Sequence, residues 1–259
     1  MAQLPSHGRI NCTRCFAKQT CVSFDETRLT ADTEDWRITS NPLAWGSSEP
    51  EVIILGFSKG PTQAGALSNT PHDDIAYKGS RENVGKILSH IGLIEHQPKG
   101  YYRPTVDKLI SEKNGRFHFA SLIRCTVERL DAKSMTWKGS GGGMLDKFVV
   151  TPFGEAISSN CIRQHLEDLP DRTRLVVMFG LGSRLNYVAQ AMKIIVRARG
   201  GDWKMVNEVT YTDGKVTFVH VEHFASQGAL LPNWLGENNH SRSNYGSQAQ
   251  DGVRHALQR

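Results

Sequence analysis

The chain has 259 residues, 39% of them hydrophobic, and a formal net charge of +5. That is enough apolar material for one large α/β domain or two small ones, but no run reaches membrane-spanning length, and the first residues (Met1-Ala-Gln-Leu-Pro-Ser-His-Gly-Arg9) hold no hydrophobic signal region. A cytoplasmic monomer without membrane contact is therefore expected, whose five cysteines serve as reduced thiols or metal ligands rather than as a disulfide framework, and whose charge is compatible with a polyanionic partner such as nucleic acid.

Cys12-Thr-Arg-Cys15 opens the chain, and its C-x-x-C spacing lets two thiolates reach one metal from a single turn. Taken alone it is as readily two incidental cysteines; Cys125 and Cys161 would complete a four-thiolate site, leaving Cys21 as a small buried residue. Residues 22–50 read as polar and irregular, with Trp36 and Trp45 covering a core edge. Glu51-Val-Ile-Ile-Leu-Gly56 reads as a first buried parallel strand that runs into Phe57-Ser-Lys-Gly-Pro-Thr-Gln63. The glycines of that loop permit close backbone approach to a ligand, although no Gly-Lys-Ser/Thr ending makes it a phosphate loop. After a loop ending in His72-Asp73-Asp74-Ile-Ala-Tyr77-Lys-Gly79, Ser80 is the expected N-cap of a helix to Ile91, stopped by Gly92. A further helix is expected over Val106–Glu112.

Phe117–Cys125 is short, apolar and free of Gly and Pro, and reads as a buried strand that ends on a candidate ligand and carries Ser121 to the mouth of a sheet. Residues 132–153 form an expected insertion around Gly139-Ser-Gly-Gly-Gly143, either a surface loop or a DNA-contacting flap. A helix over Glu155–Leu169 carries Cys161. The strand Arg174–Gly180 precedes a helix over Leu181–Arg199, with Ser183 as its cap and Leu185, Val188, Met192 and Ile195 inside. Val206–Thr212 and Lys215–Val221 flank Asp213-Gly214, a hairpin signal. The second strand leads into His223-Phe-Ala-Ser226, and a short polar helix from Ser247 closes the chain. This order predicts a three-layer α/β/α fold around a central, mostly parallel, four-stranded sheet in a single domain, with the site at the carboxyl ends of the strands after Gly56, Ile123, Gly180 and Val221.

Over roughly residues 10–235 these segments resemble the uracil-DNA glycosylase superfamily, in particular its iron–sulfur branch. Cys12-x-x-Cys15 looks like that branch's opening ligand pair, and Leu55-Gly-Phe-Ser-Lys-Gly60 stands in place of its first motif, usually Gly-Glu-Ala-Pro-Gly. Tyr77-Lys-Gly79 is similar to its Phe-Val-Gly segment, Ser121-Leu-Ile-Arg-Cys125 to Asn-Val-Val-Lys-Cys, and His223-Phe-Ala-Ser226 to the His-Pro-Ser of its second motif. The resemblance implies a DNA glycosylase that flips a nucleotide and breaks its N-glycosidic bond to leave an abasic site. It also implies a 4Fe-4S cluster on Cys12, Cys15, Cys125 and Cys161, for which zinc is the alternative. By position His223 stabilises the departing base, Tyr77 stacks on it, and Ser121 reads its edge. Gly56, Phe57, Ser58 and Gly60 lie near base and sugar, Ser226 grips phosphate, and Leu230 or Leu231 fills the vacated stack.

Three departures bear on the substrate. Phe57 stands where the water-orienting carboxylate is usual, so Asp73 or Asp74 is its replacement unless both are turn residues. Ser121 is shorter than the family's Asn, and the His-Phe-Ala-Ser motif lacks proline. A smaller reader leaves room for a modified pyrimidine, such as hypermodified cytosine of phage DNA in anti-phage defence. The alternatives are plain uracil in base-excision repair and a catalytically silent DNA-binding relative.

Overall fold

The computed structural model describes residues 2–139 and 145–258. In chain order the elements are β1 (Gly8–Arg9), a 3-10 turn at Arg14–Phe16, β2 (Arg28–Thr30), β3 (Trp36–Thr39), β4 (Leu43–Gly46) and β5 (Val52–Gly56). Then follow α1 (Pro61–Ala64), α2 (His72–Ile75), α3 (Arg81–His90), α4 (Tyr102–Ser111), β6 (Phe117–Ser121), β7 (Thr126–Asp131) and β8 (Thr136–Gly139). The rest comprises α5 (Leu145–Val149), α6 (Pro152–His165), β9 (Leu175–Phe179), α7 (Asn186–Arg199), β10 (Lys204–Asn207), β11 (Thr210–Thr212), β12 (Thr217–Val221), α8 (Leu230–Leu235) and α9 (Ser243–Leu257).

The main sheet has eight strands in the order β1-β4-β6-β5-β9-β12-β11-β10. Its middle four, β6-β5-β9-β12, pair in parallel. They are almost wholly apolar, as strands covered on both faces must be. Two antiparallel strands extend the sheet on each side. The four-stranded parallel core is thus as expected, but the sheet is twice as wide. A second, four-stranded antiparallel sheet, β2-β3-β7-β8, stands beside it.

Helices cover both faces of the main sheet. A Cβ at Gly252 of α9 would come within 2.9 Å of Val219 on β12, while on the opposite side of that strand the Tyr187 ring of α7 meets His220 edge-on at 5.5 Å. α3 joins the α9 layer: the Gln250 side chain donates to the His90 carbonyl. α6 packs on α7. Its buried stripe of Gly154, Ile157, Ser158, Cys161, Ile162 and His165 follows the helical repeat and turns Cys161 inward. Thr151 caps that helix by accepting from Gly154 N at 3.0 Å.

Several expectations fail for identifiable reasons. Residues 22–50 are not irregular: β2, β3 and β4 lie there, with Trp36 and Trp45 fully packed. Their partners are distant in sequence (Trp36 with Arg129, Trp45 with Phe119), so no local pattern announces them. The strand expected over 117–125 ends at Ser121, and the chain re-enters pairing as β7 in the other sheet. The start of the expected insertion, residues 132–139, is the turn and second strand of the β7–β8 hairpin, and its end is α5 and the start of α6; residues 140–143 of the Gly-rich run lie outside the described residues. Ser183 caps no helix, because Arg184 and Leu185 take left-handed φ values of 51° and 59° and α7 begins only at Asn186. The strand expected over 206–212 is split into β10 and β11, whereas the Asp213-Gly214 hairpin between β11 and β12 is as read. The closing helix is longer than expected and is built in through Ala249, Val253 and Ala256. Cys21 is exposed rather than buried.

Candidate active site and cysteine cluster

Parallel pairing puts Gly56 level with Ser121, and Val221 level with Phe179, so the loops that follow emerge side by side. Backbone bonds knit them: Leu122 N donates to Gly56 O at 2.8 Å, Ile123 N to Phe57 O at 2.9 Å, and Gly180 N to Val221 O at 2.9 Å. From the α3 side, Asn83 Nδ2 donates to Phe224 O at 2.9 Å, which ties the start of that helix to the loop carrying His223. Gly56, Tyr77, Ser121 and His223 thus belong to one mouth, although they come from four segments of the chain.

His223 stacks on Phe224 at 4.3 Å. Its Nδ1 accepts the Ala225 amide at 3.1 Å. An amide always donates, so in the neutral ring the proton resides on Nε2 and makes that nitrogen a donor. Burial lowers the His223 pKa, opposed by the Glu222 charge. Glu222, which sequence reasoning passed over, organises this loop. Its buried carboxylate accepts from His223 N at 2.9 Å and Ser226 Oγ at 2.7 Å through one oxygen, and from Arg242 Nε at 2.6 Å through the other. Ser226 is therefore directed at Glu222, while Leu230 stands exposed and its neighbour Leu231 is buried.

Tyr77 is packed edge-on against Phe224 at 5.0 Å, Phe179 at 5.7 Å and Phe119 at 6.1 Å. It adopts φ 52°, costly for an aromatic residue, and its hydroxyl is buried without a hydrogen-bond partner among the described residues. Ser121 is half-buried at the end of β6. A Cβ at Gly56 or Gly60 would meet nothing within 4 Å, so these glycines leave room beside the backbone rather than relieve a clash. Phe57 is turned toward Phe148, 6.1 Å away.

The two candidate carboxylates differ. Asp74 is exposed. Asp73 Oδ1 lies 2.7 Å from His7 Nε2. His7, His72 and Asp73 are the one group of three metal-capable side chains among the described residues whose ligand atoms lie within 4.8 Å of each other. However, His7 Nδ1 accepts the Gly46 amide at 3.2 Å, so the nitrogen facing Asp73 bears the hydrogen. The arrangement is an imidazole–carboxylate pair, and Asp73 is engaged in it.

Cys12, Cys15, Cys125 and Cys161 converge from the N-terminal turn, the link between β6 and β7, and α6. The Cys15 thiol donates to Cys161, holding that thiol down at about 7 against its burial, while Cys15 itself is driven far up. Burial pushes Cys125 up to about 12 and raises Cys12 as well. Amides aim at the sulfurs: Arg14 at Cys12, Asn41 at Cys125 and Arg124 at Cys161, and the Asn160 side chain donates to Cys15 at 3.7 Å. Arg14 also reaches Gln164 of α6 at 3.1 Å.

No protein-family model matches the chain, and no curated protein sequence matches it. Among solved structures the chain is similar to the crystal structure of wild-type Pedobacter heparinus SMUG2, at 12% identity over 82% of this chain and 78% of that one, with a TM-score of 0.40. A likeness that slight does not bear on what this chain does. Among the described residues no helix is long and apolar enough to cross a membrane.

Proposed function

We propose that the protein is a DNA glycosylase that takes a flipped nucleotide into the mouth formed by Gly56–Gly60, Tyr77, Ser121 and His223. The observation that carries the reading is the state of His223: a neutral imidazole, fixed in one tautomer by the Ala225 amide, with its Nε2–H free to donate. Breaking an N-glycosidic bond puts negative charge on the base oxygen, and a pre-oriented neutral donor stabilises that charge without first having to lose a proton. Half-buried Phe224 supplies aromatic surface for the base, and buried Tyr77 backs that ring at 5.0 Å instead of stacking on the base directly. The open space at Gly56 and Gly60 lets the sugar approach the backbone. Leu230, exposed on the same side of the chain order, fills the gap left in the duplex. Ser226 gives its one hydroxyl hydrogen to Glu222, so it grips phosphate only if that hydroxyl turns away from the carboxylate.

Ser121 presents a short hydroxyl where a longer amide would fill the pocket, which favours a modified or bulkier pyrimidine over plain uracil. The substrate proposed is hypermodified cytosine of the kind found in phage DNA, and the biological setting is anti-phage defence. Water activation is assigned to Asp74, or to Asp73 once it is released from His7. The engagement of Asp73 with His7 is also the observation that favours the second reading, a catalytically silent DNA-binding relative.

The four cysteines suit a metal group. Four thiols, three amide donors and a side-chain amide donor surround one spot. A single tetrahedral zinc would hold its sulfurs about 3.8 Å apart, given Zn–S bonds of ~2.3 Å. We read the set as the holder of the 4Fe-4S cluster that the resemblance implies, with zinc as the alternative. When bound, such a group cross-links the N-terminal turn, the β6–β7 link and α6.

The test is a product assay. Duplexes containing uracil, hydroxymethylcytosine or glucosylated cytosine are incubated with the protein and then treated with alkali. Strand scission at modified cytosine but not at uracil is expected; scission at uracil alone would overturn the substrate proposed. His223→Ala should lower the rate by about a hundredfold or more while leaving DNA affinity largely intact. Binding without scission on any duplex would select the silent relative.

A further inference from the structure

Two cations lie buried against the cysteines, and neither was assigned a role by the sequence. Lys59 and Arg124 are each only 2% exposed. Lys59 Nζ donates to the Arg124 carbonyl. The Arg124 guanidinium gives Nη1 to His118 Nε2 at 3.3 Å, a neutral acceptor because His118 turns its Nδ1 toward Ser47 O at 2.8 Å. The other guanidinium nitrogen, Nη2, is buried without a partner among the described residues. Among the described residues neither cation has a salt bridge to a carboxylate. The acid-type groups that act on Lys59 are the thiols of Cys125, then Cys161, and last Asp25, whose Oδ1 is already bonded to Asn41 at 2.8 Å. Those acting on Arg124 are Cys161, Cys12 and Tyr77.

Two uncompensated buried cations in one shell cost several kcal/mol each, so a fold retains them only where anionic charge is present to match. Four thiolates around one zinc, or around a 4Fe-4S core in its usual oxidised state, carry a net charge of about −2. We infer that Lys59 and Arg124 are the internal counter-charges of the metal-loaded four-thiolate site, and that Lys59 thereby couples the loading of that site to the position of the Gly56–Gly60 loop. The inference rests on the four-thiolate reading, but it holds for either metal. Lys59 lies in the loop that borders the proposed base pocket, and Arg124 lies next to Cys125. The same pair of charges therefore faces both the sulfurs and the pocket loop. The metal-free protein holds two buried cations without a carboxylate partner among the described residues, whereas the loaded protein holds a balanced set.

This predicts stability effects of opposite sign in the two forms. The full chain is reconstituted with iron and sulfide, or with zinc, and compared with chelator-stripped protein for wild type, Lys59→Met, Arg124→Met, Lys59→Arg and Arg124→Lys. Lys59→Met and Arg124→Met should raise the melting temperature of the stripped form, lower that of the loaded form, and weaken metal retention against a competing chelator by about tenfold or more. The charge-keeping variants should restore retention. A shift in the same direction in both forms would mark plain packing residues and overturn the inference, as would unchanged metal retention. If wild type takes up neither iron nor zinc, the four-thiolate reading falls, and this inference falls with it.

Discussion

In the proposed reaction His223 acts as a neutral donor, a role it can fill only while it stays neutral, and its burial helps. Because its folded pKa is held below the ordinary histidine value, excision should be level through neutral pH and decline only on the acid side of that value, with the slope of one proton; a rate that rises on acidification would contradict a neutral donor. Glu222 acts one step back. Exchanging it for Gln removes a charge-assisted bond to Arg242 and one of two acceptors in the loop, at about 1.5–3 kcal/mol. Glu222→Gln should therefore lower both the melting temperature and the excision rate while leaving the base preference unchanged. In the proposed reading Ser121 carries the base preference. Ser121→Asn should cut activity on a bulky cytosine by about tenfold or more and raise it on uracil, read as the ratio of kcat/KM on the two duplexes. At this scale the sequence was partly legible. His223, Tyr77 and the four cysteines sit in readable motifs, but Glu222, Lys59 and Arg124 look like ordinary charged residues until burial reveals them. The binding of Asp73 to His7 joins residues 66 positions apart, and no local pattern records it.

Elements show where periodicity suffices. The four parallel strands are continuous apolar runs and announce themselves. The flanking strands are two to four residues long; β1 and β4 pair across large sequence gaps, so only the folded chain reveals them, whereas β11 is announced by its local hairpin with β12. Helix starts are equally opaque where the backbone is special. Gly180, at the exit of β9, has φ 124°, and a Cβ there would lie 2.3 Å from the Tyr187 ring. Its carbonyl accepts from His220 at 3.1 Å. Gly180→Ala should therefore cost on the order of 2–3 kcal/mol through strain and displacement of α7, measured by denaturant unfolding. Gly60→Ala, which meets open space, should leave stability nearly unchanged and lower activity only if substrate backbone approaches there.

For the molecule as a whole, acid sensitivity follows from histidines kept uncharged. His220 is fully buried between the Gly180 carbonyl and Tyr211, and burial brings its pKa down to about 4. The unfolded chain takes up a proton near pH 6.5 that the folded one refuses until about 4. Stability is thus full above 6.5 and falls by roughly 3 kcal/mol as the pH drops through that window. His220→Gln should flatten that slope in urea titrations while lowering stability at pH 7. For the proposed metal-loaded cysteine site, stripping the metal should lower the melting temperature by about 10 °C for a linkage loss of ~4 kcal/mol, and loosen the N-terminal turn against protease.

The width of the main sheet has one more consequence. A sheet that does not close has two open margins, each a row of unsatisfied amides and carbonyls that invites another chain to add a strand. Here one margin is β1, only two residues long. The other is β10, whose outward residues Met205 and Val206 are exposed and apolar, the combination most inviting to a stray strand. Exposed Lys204 supplies one guarding charge at its start, and shape adds the rest. The register of β10 slips between Met205 and Asn207, and the kink at that bulge breaks the straight run of groups that a docking strand needs. Deleting the extra residue would straighten that margin and turn a protected border into a template for self-association.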